Sequence, residues 1–383
     1  MKVLLVTPSY DPIVGGAEIF VRRLATKLNE LGIRADVMTF NMNQKWKPLL
    51  KASSEKNGFT VFRIPAIANP LAFLPINPLH RVFRFNVVPK PGFTRLFWGY
   101  DIVHFCDEED LSFPLFSLFA KKPKIIHMLT PIGFEEIRRN FFQKKIFRRI
   151  ADLYVPDSFQ IRFLLDMGIP QSRIVDIESI GVEVDNFKPD ESKRLDNLVL
   201  FVGRIQKLKG VHILLQALLR LNLPVHAVII GPFDQRDPQY SDEIKKTVNL
   251  INTQGTHKVE LLGCMNEKEL LPWYQKATLL VTPHLDGSAG LTSLEALACA
   301  TPVIATGTLL IKNGVNGLLV PPNDAEKLSS ALSKLLQDKE LRKEYGSQGR
   351  RIIEEHYSWE RIIKGLIAIY RKTMDNHSVH GCS

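Results

Sequence analysis

No stretch of this 383-residue chain approaches the roughly 20 apolar residues that a membrane-spanning helix needs, so a protein that is soluble, or at most rests on a membrane surface, is expected. Cysteine is scarce as well. Cys106, Cys264, Cys299 and Cys382 stand far apart with no C-x-x-C pair, which suggests neither a zinc site nor a disulfide framework and fits a reducing, cytoplasmic compartment. Short-period repeats and low-complexity tracts are lacking, and no nucleic-acid-binding module is recognisable. The formal charge of +10 would by itself suit nucleic acid, anionic lipid or a phosphorylated substrate; without such a module, nucleic acid is set aside as a partner. The opening "MKVLLVTPSY" has an apolar run of only about six residues and leads into "DPIVGG" rather than a small-residue cleavage site, so it reads as a first β-strand and not a signal peptide.

What is there is globular: 45% apolar and 23% charged residues, in a chain long enough for two domains. Strand-like runs "KVLLVTP", "RADVMTF", "DIVHFC", "KIIHML" and "ADLYVPD" alternate with amphipathic stretches, which implies an α/β fold with parallel sheet and crossover helices. The first such helix, Ala17 to Gly32, places Ile19, Leu24, Leu28 and Leu31 near one face. A second series, "LVLFVGR", "VHAVIIGP", "KVELLG", "ATLLVTP", "TPVIAT" and "NGLLVPP", follows the polar segment "NFKPDESKRLDN", read as a linker. Two Rossmann-like units in tandem result, at 1–188 and 189–365, with 366–383 packing back on the first. The last fifty residues are amphipathic and helical, and disorder is expected only for the tail "DNHSVHGCS". Residues 44–99, rich in Pro, Phe and Lys, form an irregular excursion of the kind that is more often functional than idle.

Phosphate chemistry has three candidate places. Gly15 and Gly16 directly precede a helix, so the backbone there can approach a ligand closely and the helix offers N–H groups to an anion, although the loop lacks the G-x-G-x-x-G pattern and also reads as a plain turn. In "FVGRIQKLKG", Arg204 and Lys209 lie in a loop between strand and helix, a fork and a point charge suited to a diphosphate, or else solvated loop charges. Near Gly290 and Leu291 a further helix begins, with Glu295 one turn in as an acceptor for ribose hydroxyls; a capped helix with one exposed Glu is the alternative.

Taken in order, "PIVGGAE", "VGRIQKLKG", "KVELLG", "LTSLEALACATPVIA", "NGVNGLLVPPND" and "YSWERI" make the chain resemble a GT-B glycosyltransferase of the retaining family 4, over nearly its whole length. The resemblance implies two Rossmann-like domains facing across a cleft and transfer of a sugar from a UDP- or GDP-sugar, with retention, to a glycan or lipid-linked acceptor hydroxyl. It places Arg204 and Lys209 on the diphosphate, Glu295 on the ribose, Gly263 to Met265 along the base and Gly16 across the cleft. Cationic groups would stabilise the leaving diphosphate, so no metal and no other cofactor is expected. A nucleotide-sugar 2-epimerase of the same fold, or a non-catalytic nucleotide-sugar binder, are the alternatives.

The chain also departs from the family. Eight positions before Glu295, where a first glutamate would contact the donor sugar, stands Gly287; Asp286, next to it, is the candidate replacement, or a turn-forming residue in "DGS". The loop between "PVIAT" and "IKNGVNG" is shortened to "GTLL". The position of the family's sugar-facing histidine falls on Leu129; His127 points to the same side of an extended strand roughly 6 to 7 Å back, and His104 matches another frequent family histidine, so both are candidate bases or else structural. The acidic run Asp107 to Asp110 reads as a helix start rather than a metal site. Residues 135–152, "EEIRRNFFQKKIFRRIAD", alternate cations with Phe and Ile at helical spacing, which suits an anionic membrane surface or a core-packed helix with its cations in water.

Overall fold

A computed structural model of the chain describes residues 1–12, 15–41, 53–56, 58–68, 87–89, 92–106, 122–129, 144–145, 147–156, 158–175, 177–287, 290–307 and 310–380. The chain divides into two compact units, Met1–Ile180 with Glu360–Ser383, and Gly181–Trp359.

The first unit contains β1 (Lys2–Val6), α1 (Gly16–Glu30), β2 (Arg34–Phe40), β3 (Ser53–Lys56), β4 (Phe59–Ile64), β5 (Ala66–Ala68), β6 (Val87–Pro89), α2 (Arg95–Trp98), β7 (Ile102–Cys106), β8 (Lys124–His127), β9 (Leu153–Val155) and α3 (Ser158–Asp166). Its seven-stranded sheet runs β3-β4-β2-β1-β7-β8-β9, parallel except for the β3–β4 pair, while β5 and β6 form a separate antiparallel ribbon. Strands such as β1 and β7 are buried along almost their whole length, which is why they read as continuous apolar runs instead of alternating ones. Strands β3 to β6 fall inside the 44–99 interval read as irregular, so ordered sheet occupies part of that excursion. In α1 the buried face is Phe20, Val21, Leu24 and Leu28, and Leu31, expected on that face, is 58% exposed because the helix has ended at Glu30.

The second unit holds β10 (Leu198–Val202), α4 (Val211–Leu218), β11 (His226–Ile230), α5 (Pro238–Gln254), β12 (Lys258–Leu261), α6 (Glu267–Lys276), β13 (Leu279–Thr282), α7 (Leu291–Ala298), β14 (Val303–Ala305), β15 (Gly317–Leu319), α8 (Ala325–Gln337) and α9 (Lys339–His356). All six strands are parallel in the order β12-β11-β10-β13-β14-β15, with Val199 opposite both Ala227 and Leu279. The core gathers Phe201, Leu214, Ile229, Ile251, Val281 and Leu332. Fully burying each such side chain stabilises the unit by about 1.5–3 kcal/mol.

The unit boundaries differ from those expected at 188/189 and 365/366: they fall at 180/181 and 359/360. The physical cause is visible in the hydrogen bonds. Val182 N donates to Tyr357 O at 2.9 Å and Trp359 N to Val182 O at 3.1 Å, so the segment after Gly181 is already laced to the second unit. The polar stretch 186–197 is no free linker either. Arg194 turns inward and donates to the carbonyls of Ala277 at 2.7 Å and Cys299 at 2.9 Å, and Gln275 Nε2 donates to Lys188 O at 2.9 Å. A last helix, α10 (Trp359–His380), begins on the buried Trp359 and from Glu360 belongs to the first unit. The tail expected to be disordered is therefore helical through His380. Among the described residues no helix is long and apolar enough to cross a membrane.

Candidate nucleotide-sugar site

In the second sheet the chain leaves β10 towards β11 and β12 on one side and returns to β13 on the other, so a switch point lies between β10 and β13. Ligands of open parallel sheets sit at the carboxyl ends of the strands there. The carboxyl edge is paved with backbone. Gly203, Gly231 and Gly263 follow β10, β11 and β12 in turn, and Gly231 N donates to Gly263 O at 2.7 Å. A Cβ on Gly231 would overlap Gly203 O, and Gly231 has φ +149, so only glycine fits. Gly263 has φ +72, is exposed, and has nothing within 4 Å of where its Cβ would stand. Met265 beyond it is half-buried.

Two segments follow the strands at the switch point, 203–210 after β10 and 283–287 after β13. They are knit together by Leu285 N donating to Leu208 O at 2.8 Å, and by Gly210, at φ +68, packed so tightly on the Pro283 carbonyl that a side chain there would clash. This brings Lys209 and Asp286 face to face: Lys209 Nζ lies 4.0 Å from Asp286 Oδ2, with the two side chains 22% and 16% exposed. Burial pulls the Lys209 ammonium below its usual range, Asp286 opposes that shift, and the neighbouring charge of Arg204 adds to it. Arg204 is exposed, and its charge also reaches Asp234, whose carboxyl is pushed down to about 2 mainly by the Arg236 guanidinium, bound at 2.9 and 2.8 Å. Arg204, Lys209 and Asp286 thus come together as one charged rim; Asp234 and Arg236, missed in the sequence, extend it.

Helix α7 has Gly290 as its N-cap, in extended backbone, so the N-cap residue itself gives the first N–H groups from Leu291 onward no side-chain cap. Glu295 is not the exposed residue of the alternative reading. It is 6% exposed, and Tyr274 on α6 donates its hydroxyl to Oε2 at 2.9 Å. At Gly287 the backbone has φ +67, and a Cβ would stand 3.0 Å from Gly307 O. A left-handed glycine is therefore built into the place of the family's first glutamate, and the carboxylate one residue earlier faces a lysine.

In the first unit, considered by itself, Gly15 is the extended N-cap of α1 and Gly16 its first residue. The anion-receptive N-terminus is partly covered by the helix's own acid: a Cβ on Gly15 would meet Glu18 Oε2, and Glu18 Oε1 accepts from Ser9 Oγ at 2.5 Å. His104 on β7 and His127 on β8 are brought together with rings stacked at 5.4 Å, but both are fully buried. His127 Nε2–H donates to Ser179 O at 2.6 Å, its ring edge meets Phe20 at 4.7 Å, and burial pulls its pKa down to about 4. His104 Nδ1 hydrogen-bonds the Tyr370 hydroxyl of α10 at 2.6 Å, and burial, then the neighbouring His127, hold it well below the usual histidine range. Expected as candidate bases or else as structural residues, both histidines lie in the core of the first unit, where, among the described residues, they meet each other, Phe20, Tyr370 and the Ser179 carbonyl. The acidic run 107–110 and, of the basic segment 135–152, residues 135–143 and 146 lie outside the described residues; Lys144, Lys145, Arg148 and Arg149 line a cationic hollow in its later half. Among the described residues, no three His, Cys, Asp or Glu side chains converge as a metal-binding group.

Residues 184–352 match the family model described as glycosyl transferases group 1. Over nearly its whole length the chain is similar to an uncharacterized glycosyltransferase of Methanocaldococcus jannaschii, 25% identical and covering 98% of this chain and 99% of that protein. It is likewise similar to a D-inositol 3-phosphate glycosyltransferase of Corynebacterium urealyticum, 26% identical over 97% of this chain and 95% of the relative. Among solved structures it superposes on Anabaena HepE in complex with UDP, with TM-score 0.75 and 20% identity over 97% of this chain and all of that one; HepE has also been solved with UDP-glucose, at TM-score 0.72. The shared architecture is GT-B.

Proposed function

From a chain whose residues 184–352 belong to the glycosyl transferases group 1 family and which is a glycosyltransferase of GT-B fold, we propose transfer of a sugar from a UDP- or GDP-sugar to the hydroxyl of a glycan or lipid-linked acceptor, with the anomeric configuration retained. The observation that carries this reading is the carboxyl edge of the second sheet, where a side-chain-free floor of glycines meets Arg204 and Lys209. A diphosphate laid on that floor takes the fork of Arg204 and the ammonium of Lys209, and the start of α7 after its glycine N-cap adds N–H groups. To Glu295, held by Tyr274, we assign the ribose hydroxyls. The complexes of HepE with UDP and UDP-glucose support the donor class.

In the reaction the anomeric C–O bond to the diphosphate breaks as the acceptor oxygen bonds to that carbon on the same face. Both histidines are fully buried, so the proton of the acceptor is assigned instead to the departing phosphate oxygen beside it. Arg204 and Lys209 stabilise the charge that develops on the diphosphate, and we assign no metal to that task. A cationic face at Lys144, Lys145, Arg148 and Arg149, suited to an anionic membrane surface, fits a lipid-linked acceptor.

The test is incubation with a panel of UDP- and GDP-sugars, with and without membrane-extract acceptors and EDTA, followed by mass spectrometry. Glycosylated acceptor plus released nucleotide, unchanged by EDTA, is expected. Sugar isomerised without nucleotide release would mark an epimerase instead. Donor binding without any turnover would favour a non-catalytic binder, the reading that Gly287 in place of an acid keeps alive.

A further inference from the structure

The ion pair across the switch point has a partner problem. Lys209 is half of the cationic rim proposed to hold a diphosphate, yet its ammonium already faces the Asp286 carboxylate at 4.0 Å, on a loop tied to its own by the Leu285–Leu208 and Gly210–Pro283 contacts. Both side chains are mostly buried, so the pair is screened less than a surface bridge. Asp286 has no freedom to shift by one residue into the family position: the next residue is a left-handed glycine, and a Cβ there would press on the Gly307 carbonyl at 3.0 Å. The backbone thus keeps Asp286 on the lysine side of the loop, while its side chain stays able to rotate.

Resting on the donor reading above, we infer that Asp286 is a positioning residue that serves as the internal counter-ion of Lys209, occupying the ammonium until a diphosphate displaces it. In the free protein it neutralises one of the two cations of the rim. When the diphosphate takes Lys209, like charge turns the Asp286 carboxylate away from the phosphates. Donor binding is therefore weaker than two unopposed cations would give, and release of the nucleoside diphosphate after transfer is assisted by the returning carboxylate. No bond is made or broken by Asp286 in this role, so nothing beyond the donor and the protein is needed.

The experiment is calorimetric titration of the full chain with UDP and, separately, with inorganic pyrophosphate, using wild type, Asp286→Asn, Lys209→Met and the double variant. Asp286→Asn is expected to tighten both probes by about threefold to tenfold, the size of a partly buried ion pair converted to affinity. In the Lys209→Met background the same change should do nearly nothing, which a purely structural role of Asp286 would not produce. Unchanged or weaker binding in Asp286→Asn, or an equal gain without Lys209, overturns the counter-ion role. Pyrophosphate responding as expected while UDP fails to bind would leave the counter-ion standing and sink the nucleotide reading; failure of both probes with every variant sinks both.

Discussion

Acidification should unlock the first unit through its stacked histidine pair. His127 is fully buried and has its pKa drawn down to about 4 from an ordinary 6.5, by burial first and against the opposing hydrogen bond to Ser179 O. In the unfolded chain it binds a proton near pH 6.5, whereas in the folded chain it does so only near pH 4. Between those values the unfolded state holds more protons, so stability falls as pH falls, by about 1.4 kcal/mol per pH unit for one site. Over the whole window His127 accounts for about 3 kcal/mol. His104, shifted in the same direction by burial and by His127 itself, steepens the loss. The assay is urea unfolding followed by circular dichroism at several pH values from 7 to 4, on wild type and His127→Gln. Glutamine keeps an N–H that can reach Ser179 O but does not titrate. The variant should lose stability less steeply, by about 1.4 kcal/mol per unit, between pH 6.5 and 4. Parallel slopes for the two proteins would refute the reasoning.

Tyr274→Phe removes the hydroxyl that donates to the buried Glu295 carboxylate, and is expected to cost about 1–3 kcal/mol in the unfolding midpoint of the second unit while weakening UDP binding. Gly287→Glu, which restores the family's acid, should destabilise by about 1–2 kcal/mol through the left-handed backbone alone and give no gain in sugar transfer; a faster enzyme would count against the loop geometry. Arg350 donates to the carbonyls of Phe187 at 2.5 Å, Ala298 at 2.7 Å and Val184 at 3.1 Å, so Arg350→Ala should cost about 3 kcal/mol, readable by thermal melting, with Arg350→Lys recovering only part.

Much of this was legible because parallel strands buried on both faces write themselves as apolar runs: "LVLFV" and "HAVII" are β10 and β11. The loops after β10 and β13 are legible because Arg204 and Lys209 lie between a strand run and the helix that begins after Gly210, and Gly290 directly precedes the helix that carries Glu295. Other features depend on tertiary partners. Tyr274 meets Glu295 from a different helix, and Glu18 folds back over Gly15, neither of which local pattern reveals. The segment 186–197 looked like a linker since it is polar, but its Arg194 satisfies backbone carbonyls of the second unit. Strand β4, "FTVFRI", was hidden by the proline-rich stretch that follows it. A glycine follows each of the three strand runs, at 203, 231 and 263, a spacing visible in the sequence that leaves bare backbone at the carboxyl edge of the sheet.

The claim that the carboxyl edge of the second sheet grips the nucleotide diphosphate is tested most directly by hydrogen exchange, read by mass spectrometry, with and without saturating UDP. Slower exchange concentrated in residues 203–210 and at the start of α7, from 290 on, and abolished by Arg204→Ala, is the predicted result. UDP bound with those segments unprotected, or protection that survives the loss of Arg204, would contradict it.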